Sequence, residues 1–360
     1  MAAIRIGEAA SAPSNRSEYN ASPDLSTNSS ARDIIEPDSD NDSQSLLSST
    51  RSLRDSVWEY IEENGRTYHA FSRGEYMLPN DEPENERLDV QHWIIRRRFN
   101  DKEHFAPLKN PARILDIGTG TGIWACKMGE LFPLAEVTGT DLSPIQLEIV
   151  PPNVSFLIED AADTNWGTKP YSFIHTRMLL GSFNDFREII ERSFSYLEPG
   201  GYMESQEMYP TLYCDDGTMP KDHAFCEWTR TQDEAAMKLG KPLRIANKLK
   251  NWYERAGFVD VKEEVFKMPV NQWPKDPEYK MLGRFWGQML IEGLQGFSLA
   301  LFTRAFGWTV EEIEVYLVKV RKAIADKNVH AYHKVYVVYG RKPTPEEQRA
   351  KEAKTASKSA

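Results

Sequence analysis

Cysteine is scarce and scattered, with three residues, Cys126, Cys214 and Cys226, and no C-x-x-C spacing. That argues against a disulfide scaffold and a cysteine-built zinc centre, and it fits a reducing compartment. No apolar run approaches the ~20 residues of a membrane span, and the N-terminus lacks an apolar signal core. A cytoplasmic or nuclear protein without membrane association is the expectation. Positive charge is also short: 44 Lys and Arg against 54 Asp and Glu leave a formal net charge of −10. Direct nucleic-acid binding needs clustered basic side chains. The triplet Arg96-Arg97-Arg98 falls in a helical pattern and reads as a solvated or internally paired face. His330 and His333 come without neighbouring metal-ligand partners, so no metal site is expected. Aromatics are nearly missing from residues 1–55, which are rich in Ser, Asn, Asp and Pro. Such a stretch cannot bury enough apolar area to offset its ordering entropy and reads as a disordered tail.

What is present starts at Arg113, where Arg-Ile-Leu-Asp-Ile-Gly-Thr-Gly-Thr-Gly describes a hydrophobic strand, an acid and three alternating glycines opening a helix. Gly118, Gly120 and Gly122 permit positive φ and close backbone approach to a ligand at the strand's carboxyl end. Position six of the dinucleotide fingerprint is Ile123, so that fingerprint is incomplete. Asp116 would repel a pyrophosphate but suits the α-ammonium of a methionine moiety, which points to S-adenosyl-L-methionine. The next strand ends at Asp141-Leu142, where an acid can accept both ribose hydroxyls. A third strand, residues 154–158, runs into Glu159-Asp160-Ala161, where an acid can accept from the adenine amine. The cofactor contacts expected are Asp116, Gly118, Thr119, Gly120, Gly122, Asp141, Leu142, Asp160 and Ala161.

These segments, with Leu-Glu-Pro-Gly-Gly-Tyr at 197–202, resemble the class I S-adenosylmethionine-dependent methyltransferases. Asn-Gly-Arg-Thr-Tyr-His at 64–69, Tyr-Met-Leu-Pro-Asn-Asp-Glu at 76–82, Ile-His-Thr-Arg-Met at 174–178 and Tyr-Val-Val-Tyr-Gly-Arg-Lys-Pro at 336–343 narrow the resemblance to the LaeA-like methyltransferases of filamentous fungi. It covers about residues 58–343. Ser172 departs from the pattern, because an acid is expected after Tyr171, and its loss would weaken a contact within the site.

The alternating βα units and a late hairpin predict a Rossmann-like, seven-stranded α/β sandwich. Residues 56–110 are expected to form an N-terminal helical lid and residues 111–343 the methyltransferase domain, with a helical cap inserted at about 276–328 and a polar tail at 344–360. Tyr68, Tyr76 and Arg87 are lid or acceptor-pocket candidates by resemblance and position, against a packing role. Trp286 and Gln288 on the cap could contact an aromatic acceptor, although at helical spacing such residues more often form core. Gly283, Gly287, Gly293 and Gly296 lower helix propensity there and predict a movable cap. His175 and Glu207, at the ends of strands four and five, are the catalytic candidates. His175 serves either as general base or as a histidine bonded beneath the cofactor. Arg177 could hold a carboxylate bidentately or form a structural ion pair.

Three functions fit the chain. The first is methylation of a small acceptor in fungal secondary metabolism. The second, implied by the resemblance, is a nuclear regulator of secondary-metabolite gene clusters acting with velvet-domain partners. The third, a nicotinamide oxidoreductase, rests on the glycine loop alone. His-Thr-Arg-Met stands where amine methyltransferases carry Asn-Pro-Pro-Tyr, which disfavours an exocyclic amine acceptor.

Overall fold

The computed structural model describes residues 4–6, 60–163 and 165–359. The rest of the expected N-terminal tail lies outside the described residues. Within it, β1 (Ile4–Ile6) pairs antiparallel with the edge of the main sheet. A hairpin, β2 (Tyr60–Glu63) and β3 (Arg66–His69), precedes helix α1 (Glu82–Arg98), so the expected helical lid opens with two strands.

The α/β core follows as β4 (Arg113–Ile117), α2 (Ile123–Leu131), β5 (Glu136–Asp141), β6 (Val154–Ile158), β7 (Tyr171–Arg177), α3 (Phe186–Tyr196) and β8 (Leu197–Tyr213). Helices α4 (Ala224–Lys238) and α5 (Leu249–Ala256) lead to β9 (Val259–Pro269). The insertion is α6 (Pro277–Phe306) and α7 (Val310–Ala325), before β10 (Tyr332–Arg341) and the terminal helix α8 (Pro345–Ser359). The sheet order is β1-β6-β5-β4-β7-β8-β10-β9, parallel from β6 through β8 and antiparallel where β10 enters between β8 and β9. The seven expected strands thus form one Rossmann-like sheet with β1 added at its edge. Because β4 is central and the strands beside it run parallel, their carboxyl ends converge on one rim.

Local chemistry sets the helix ends. Asp81 accepts from Glu84 N at 3.3 Å to cap α1, and Asp276 accepts from Glu278 N at 2.9 Å to cap α6. Thr309 and Glu312 form a capping box on α7, while Gly307 ends α6 at φ +71.

The lid helix and the cap share one apolar core. Ile94 and Ile95 of α1, Phe225 and Trp228 of α4, Trp286, Leu294 and Phe302 of α6, and Leu317 and Val320 of α7 pack together with Val335 and Val337 of β10. Each fully buried side chain of this kind contributes roughly 1.5 to 3 kcal/mol, so the cap is built into the domain. The glycines of α6 accordingly serve packing, where mobility was expected. A Cβ at Gly283 would lie 2.0 Å from Asn271 O, and one at Gly287 would lie 2.4 Å from Val270 O. Only bare α-carbons let the helix approach the backbone that follows β9.

Ser172 sits at the start of β7, at the end of the sheet opposite the site. Its Oγ accepts from Ala112 N at 3.0 Å and Arg113 N at 3.3 Å, anchoring the entry to β4. The expected loss of a contact within the site therefore does not occur. Arg96, Arg97 and Arg98 are internally paired, with Glu103, with Asp101 and Glu278, and with Lys267 O and the Tyr279 hydroxyl. The polar C-terminal segment is the helix α8, tied back by Arg341 to Glu347 at 2.8 Å.

Candidate active site

The glycine loop between β4 and α2 takes left-handed backbone at three alternating positions, with φ +66 at Gly118, +58 at Gly120 and +80 at Gly122. Their surroundings differ. A Cβ at Gly118 would strike Leu179 Cδ2 at 2.4 Å, and one at Gly122 would strike the Phe156 ring at 2.3 Å. One at Gly120 would meet only Leu88 Cδ1 at 3.5 Å, so this is the face that stays open.

Asp116, 3% exposed, is the penultimate residue of β4 and has both oxygens engaged. Thr119 Oγ1 donates to Oδ2 at 2.6 Å, and His175 Nδ1 donates to Oδ1 at 2.8 Å. Asp141 at the end of β5 accepts from Gly120 N at 2.9 Å and from Ser143 N at 3.0 Å. Burial pushes its carboxyl up to about 6. Two bonded amides leave that carboxylate acceptor capacity for a ligand's hydroxyls. Asp160, after β6, accepts from Ala162 N at 2.8 Å and holds its own turn. The N-terminal segment is fastened across this rim, with Asn80 Nδ2 donating to Ser143 Oγ at 3.2 Å and Thr121 Oγ1 to Asp89 Oδ1 at 2.7 Å.

A cavity of about 340 Å³ opens between this rim and the helices above it. Asp116, Gly118, Thr119, Gly120, Asp141, Leu142, Asp160 and Ala161 line one part; Tyr76, Arg87, Arg177 and Trp286 line another. Residues as far apart in the chain as Tyr76 and Trp286 thus meet around one space. Gly122, Tyr68, His175 and Glu207 do not line it. Gly122 faces Phe156 and starts α2. Tyr68 is 2% exposed and borders a neighbouring pocket beside Ile61 and Arg304. His175 lies behind Asp116, stacked on Trp124 with centroids 3.6 Å apart, and burial lowers its pKa. Glu207 accepts from Leu179 N at 2.9 Å, and burial pushes its carboxyl up to about 8. From these positions both residues support the walls of the cavity. Gln288 is exposed and bonds Glu292 at 2.7 Å, away from the expected acceptor contact.

Sequence reasoning missed the inner walls: His92 of α1, Met178 after β7, Met208 of β8, Trp228 of α4, Met289 of α6 and His333 of β10. His333 carries a weak signal, a histidine at the head of an apolar strand. His330 pairs with Asp216 and stacks on Trp273 with centroids 4.9 Å apart. Arg87 is held by Glu84 at 2.7 and 2.9 Å and lies 4.9 Å over the Phe297 ring. Arg177 donates to His92 Nδ1 at 2.9 Å.

The parallel sheet, with the glycine loop after β4 and the acids Asp116, Asp141 and Asp160 at the carboxyl ends of three successive strands, has the fold of a class I methyltransferase. Residues 90–263 match a family described as a methyltransferase domain. Methyltransferase pytC of Aspergillus terreus is 39% identical over 312 residues, covering 86% of this chain and 96% of that protein. The secondary metabolism regulator LAE1 of Cochliobolus heterostrophus is 35% identical, covering 78% of this chain and 94% of its own. The protein-methionine methyltransferase laeA of Emericella nidulans is 32% identical, covering 79% and 77%. The chain belongs to the LaeA-like family of S-adenosylmethionine-dependent methyltransferases.

Its cofactor, when bound, supplies a methyl group activated on a sulfonium. The residues present fit such a group: an unobstructed glycine face, an acid with spare acceptor capacity at Asp141 and a buried acid at Asp116. No helix among the described residues is long and apolar enough to cross a membrane.

Proposed function

We propose that this protein methylates a small, largely apolar molecule of fungal secondary metabolism in the inner part of the cavity. Asp116, Thr119, Gly120, Asp141, Leu142, Asp160 and Ala161 hold the methyl donor in this reading, with His175 and Glu207 supporting them from behind. The observation that carries it is the continuity of the space: the cavity that contains these residues extends past Arg177 to Met178, Met208, Trp228, Trp286, Met289 and Phe297. Methionine and aromatic walls with few polar groups suit a small apolar ligand. Orientation alone can supply roughly 7 to 11 kcal/mol toward such a transfer, so a shaped chamber beside the donor is the main requirement.

A second reading is favoured by the relatives named as secondary metabolism regulators. In it the protein acts in the nucleus with velvet-domain partners. One comparison separates the two: metabolites and cluster transcripts in the parent strain, a gene deletion and a Gly120→Val allele. Loss of one compound, accumulation of its counterpart one methylene lighter and steady transcripts would support the enzyme. Coordinated loss of transcripts across several clusters would support the regulator.

A further inference from the structure

Two histidines line the cavity, and each has one ring nitrogen filled by a group that can only donate. The Trp286 indole Nε1 lies 3.1 Å from His333 Nδ1, and Arg177 Nη2 lies 2.9 Å from His92 Nδ1. Indole and guanidinium offer hydrogens and no lone pair for bonding. Both Nδ1 atoms must therefore accept, both rings are neutral, and both protons sit on Nε2, for which no protein partner is found among the described residues.

Their surroundings hold this state. His333 is 1% exposed among Phe225, Trp286 and other apolar side chains, and burial alone pushes its pKa down to about 3. Around His92, burial acts first, then the charges of Arg177 on β7, Arg96 on its own helix and Lys127 on α2, with His175 last, and the pKa falls to about 2. Two carboxylates that line the cavity are occupied. Glu84 has both oxygens in Arg87, and Asp116 has its oxygens in Thr119 and His175. Burial raises the Tyr76 phenol far above its ordinary value, so it stays protonated. His92, His333, Tyr76, Glu84, Asp116 and Arg177 thus offer N–H and O–H donors and one cation, and none of these six is free to take a proton.

Resting on the reading of this chamber as the acceptor site, we propose that the methyl acceptor is an organic acid that enters already ionised, a carboxylate or a vinylogous acid. One of its oxygens accepts from Nε2–H of His333 or His92 while the other is presented for methylation. A lone pair of that second oxygen forms the new O–C bond as the sulfur–carbon bond breaks, its electron pair remaining on sulfur. No proton leaves, since an ionised oxygen carries none, and no base is required.

The test uses the full chain with 15N-labelled histidine, each ring assigned by His92→Phe and His333→Phe. Long-range 15N–1H spectra between about pH 6 and 8 should show both rings neutral and protonated on Nε2. An Nδ1–H tautomer or an imidazolium at either position overturns the proposal. Calorimetry of protein loaded with S-adenosylhomocysteine then compares 1-naphthoate with 1-naphthol. Naphthoate should bind roughly tenfold tighter at neutral pH, and that preference should be lost in His333→Phe or in His92→Phe, whichever removes the donor, and mostly kept when the same residue is replaced by Gln, whose amide retains a donor; preference kept in both Phe variants overturns the proposal. Equal affinity for the two probes overturns the acid preference and leaves the chamber reading intact. Failure of both probes to bind, with the tautomers as expected, overturns the chamber reading and the proposal with it.

Discussion

The His175 imidazole lies flat on the Trp124 indole, its plane within 8° of parallel, and the edge of the ring donates to Asp116 at 2.8 Å. The stack fixes the ring, and the ring fixes the carboxylate that faces the cavity.

This arrangement predicts a graded response to substitution. His175→Phe keeps the stack and removes the donor, leaving a buried carboxylate one partner short, a loss of about 1 to 3 kcal/mol for such a group. Cofactor affinity by calorimetry should fall accordingly. His175→Asn places an amide N–H near the Nδ1 position and should recover much of it. Equal affinity in both variants and the wild type would sever His175 from the site.

Asp141 gives a pH dependence. Its carboxyl is raised to about 6, so cofactor affinity should drop as pH falls through that value and the acceptor is lost. Asp141→Asn should bind about 1 to 3 kcal/mol more weakly at neutral pH and show no such drop. Titration calorimetry across this range checks both statements.

The glycine loop separates stability from binding. Gly122→Ala should destabilise the fold by roughly 2 kcal/mol or more, because it adds positive-φ strain to an overlap with the Phe156 ring. Gly120→Ala carries only the backbone cost of about 1 kcal/mol but should lose most cofactor affinity. Denaturant unfolding and calorimetry on the two proteins should rank them in opposite orders.

Glu207 predicts the direction of stability with pH. An unfolded glutamate titrates near 4.5, whereas the folded carboxyl holds its proton up to about 8. Between those values the folded state binds more protons, so its stability is highest below the lower value and declines as pH rises toward the upper. Glu204, raised to about 7, adds a slope of the same sign. Glu207→Gln removes only the first contribution. Urea unfolding should show the wild type losing a few kcal/mol relative to the variant over that window. A constant difference would mean the carboxyl ionises without penalty.

Gly283→Ala tests the built-in cap. Its Cβ would meet a backbone oxygen, which cannot swing aside, so the melting temperature should fall by several degrees for a cost of about 2 kcal/mol. A gain in stability, as helix propensity alone would give, would show that the α6 contact is loose.

The candidate cofactor residues were legible because each lies in a local pattern. Asp116 and Gly120 belong to one strand and its turn, Asp141 closes the strand that bears it, and Asp160 follows directly after the third strand. The limits of the fifth core strand depend on its neighbours: β8 runs Leu197–Tyr213, with Leu197 paired to Tyr171 of β7 and residues Tyr202 to Tyr213 paired to β10. The lid hairpin was missed for a related reason, since four-residue strands carry too little alternation to separate from loop.

Local pattern, with the resemblance it carries, by itself determined the class of fold and the methyl donor. A strand, a glycine turn and a helix start are specified by neighbours in the chain. What each side chain of the site does was decided by the tertiary structure. Asp116 and His175 are 59 residues apart, and Trp286 and His333 are 47 apart. Whether those rings meet depends on the sheet order and on how close α6 can approach it. Chain neighbours do not encode that distance; packing does.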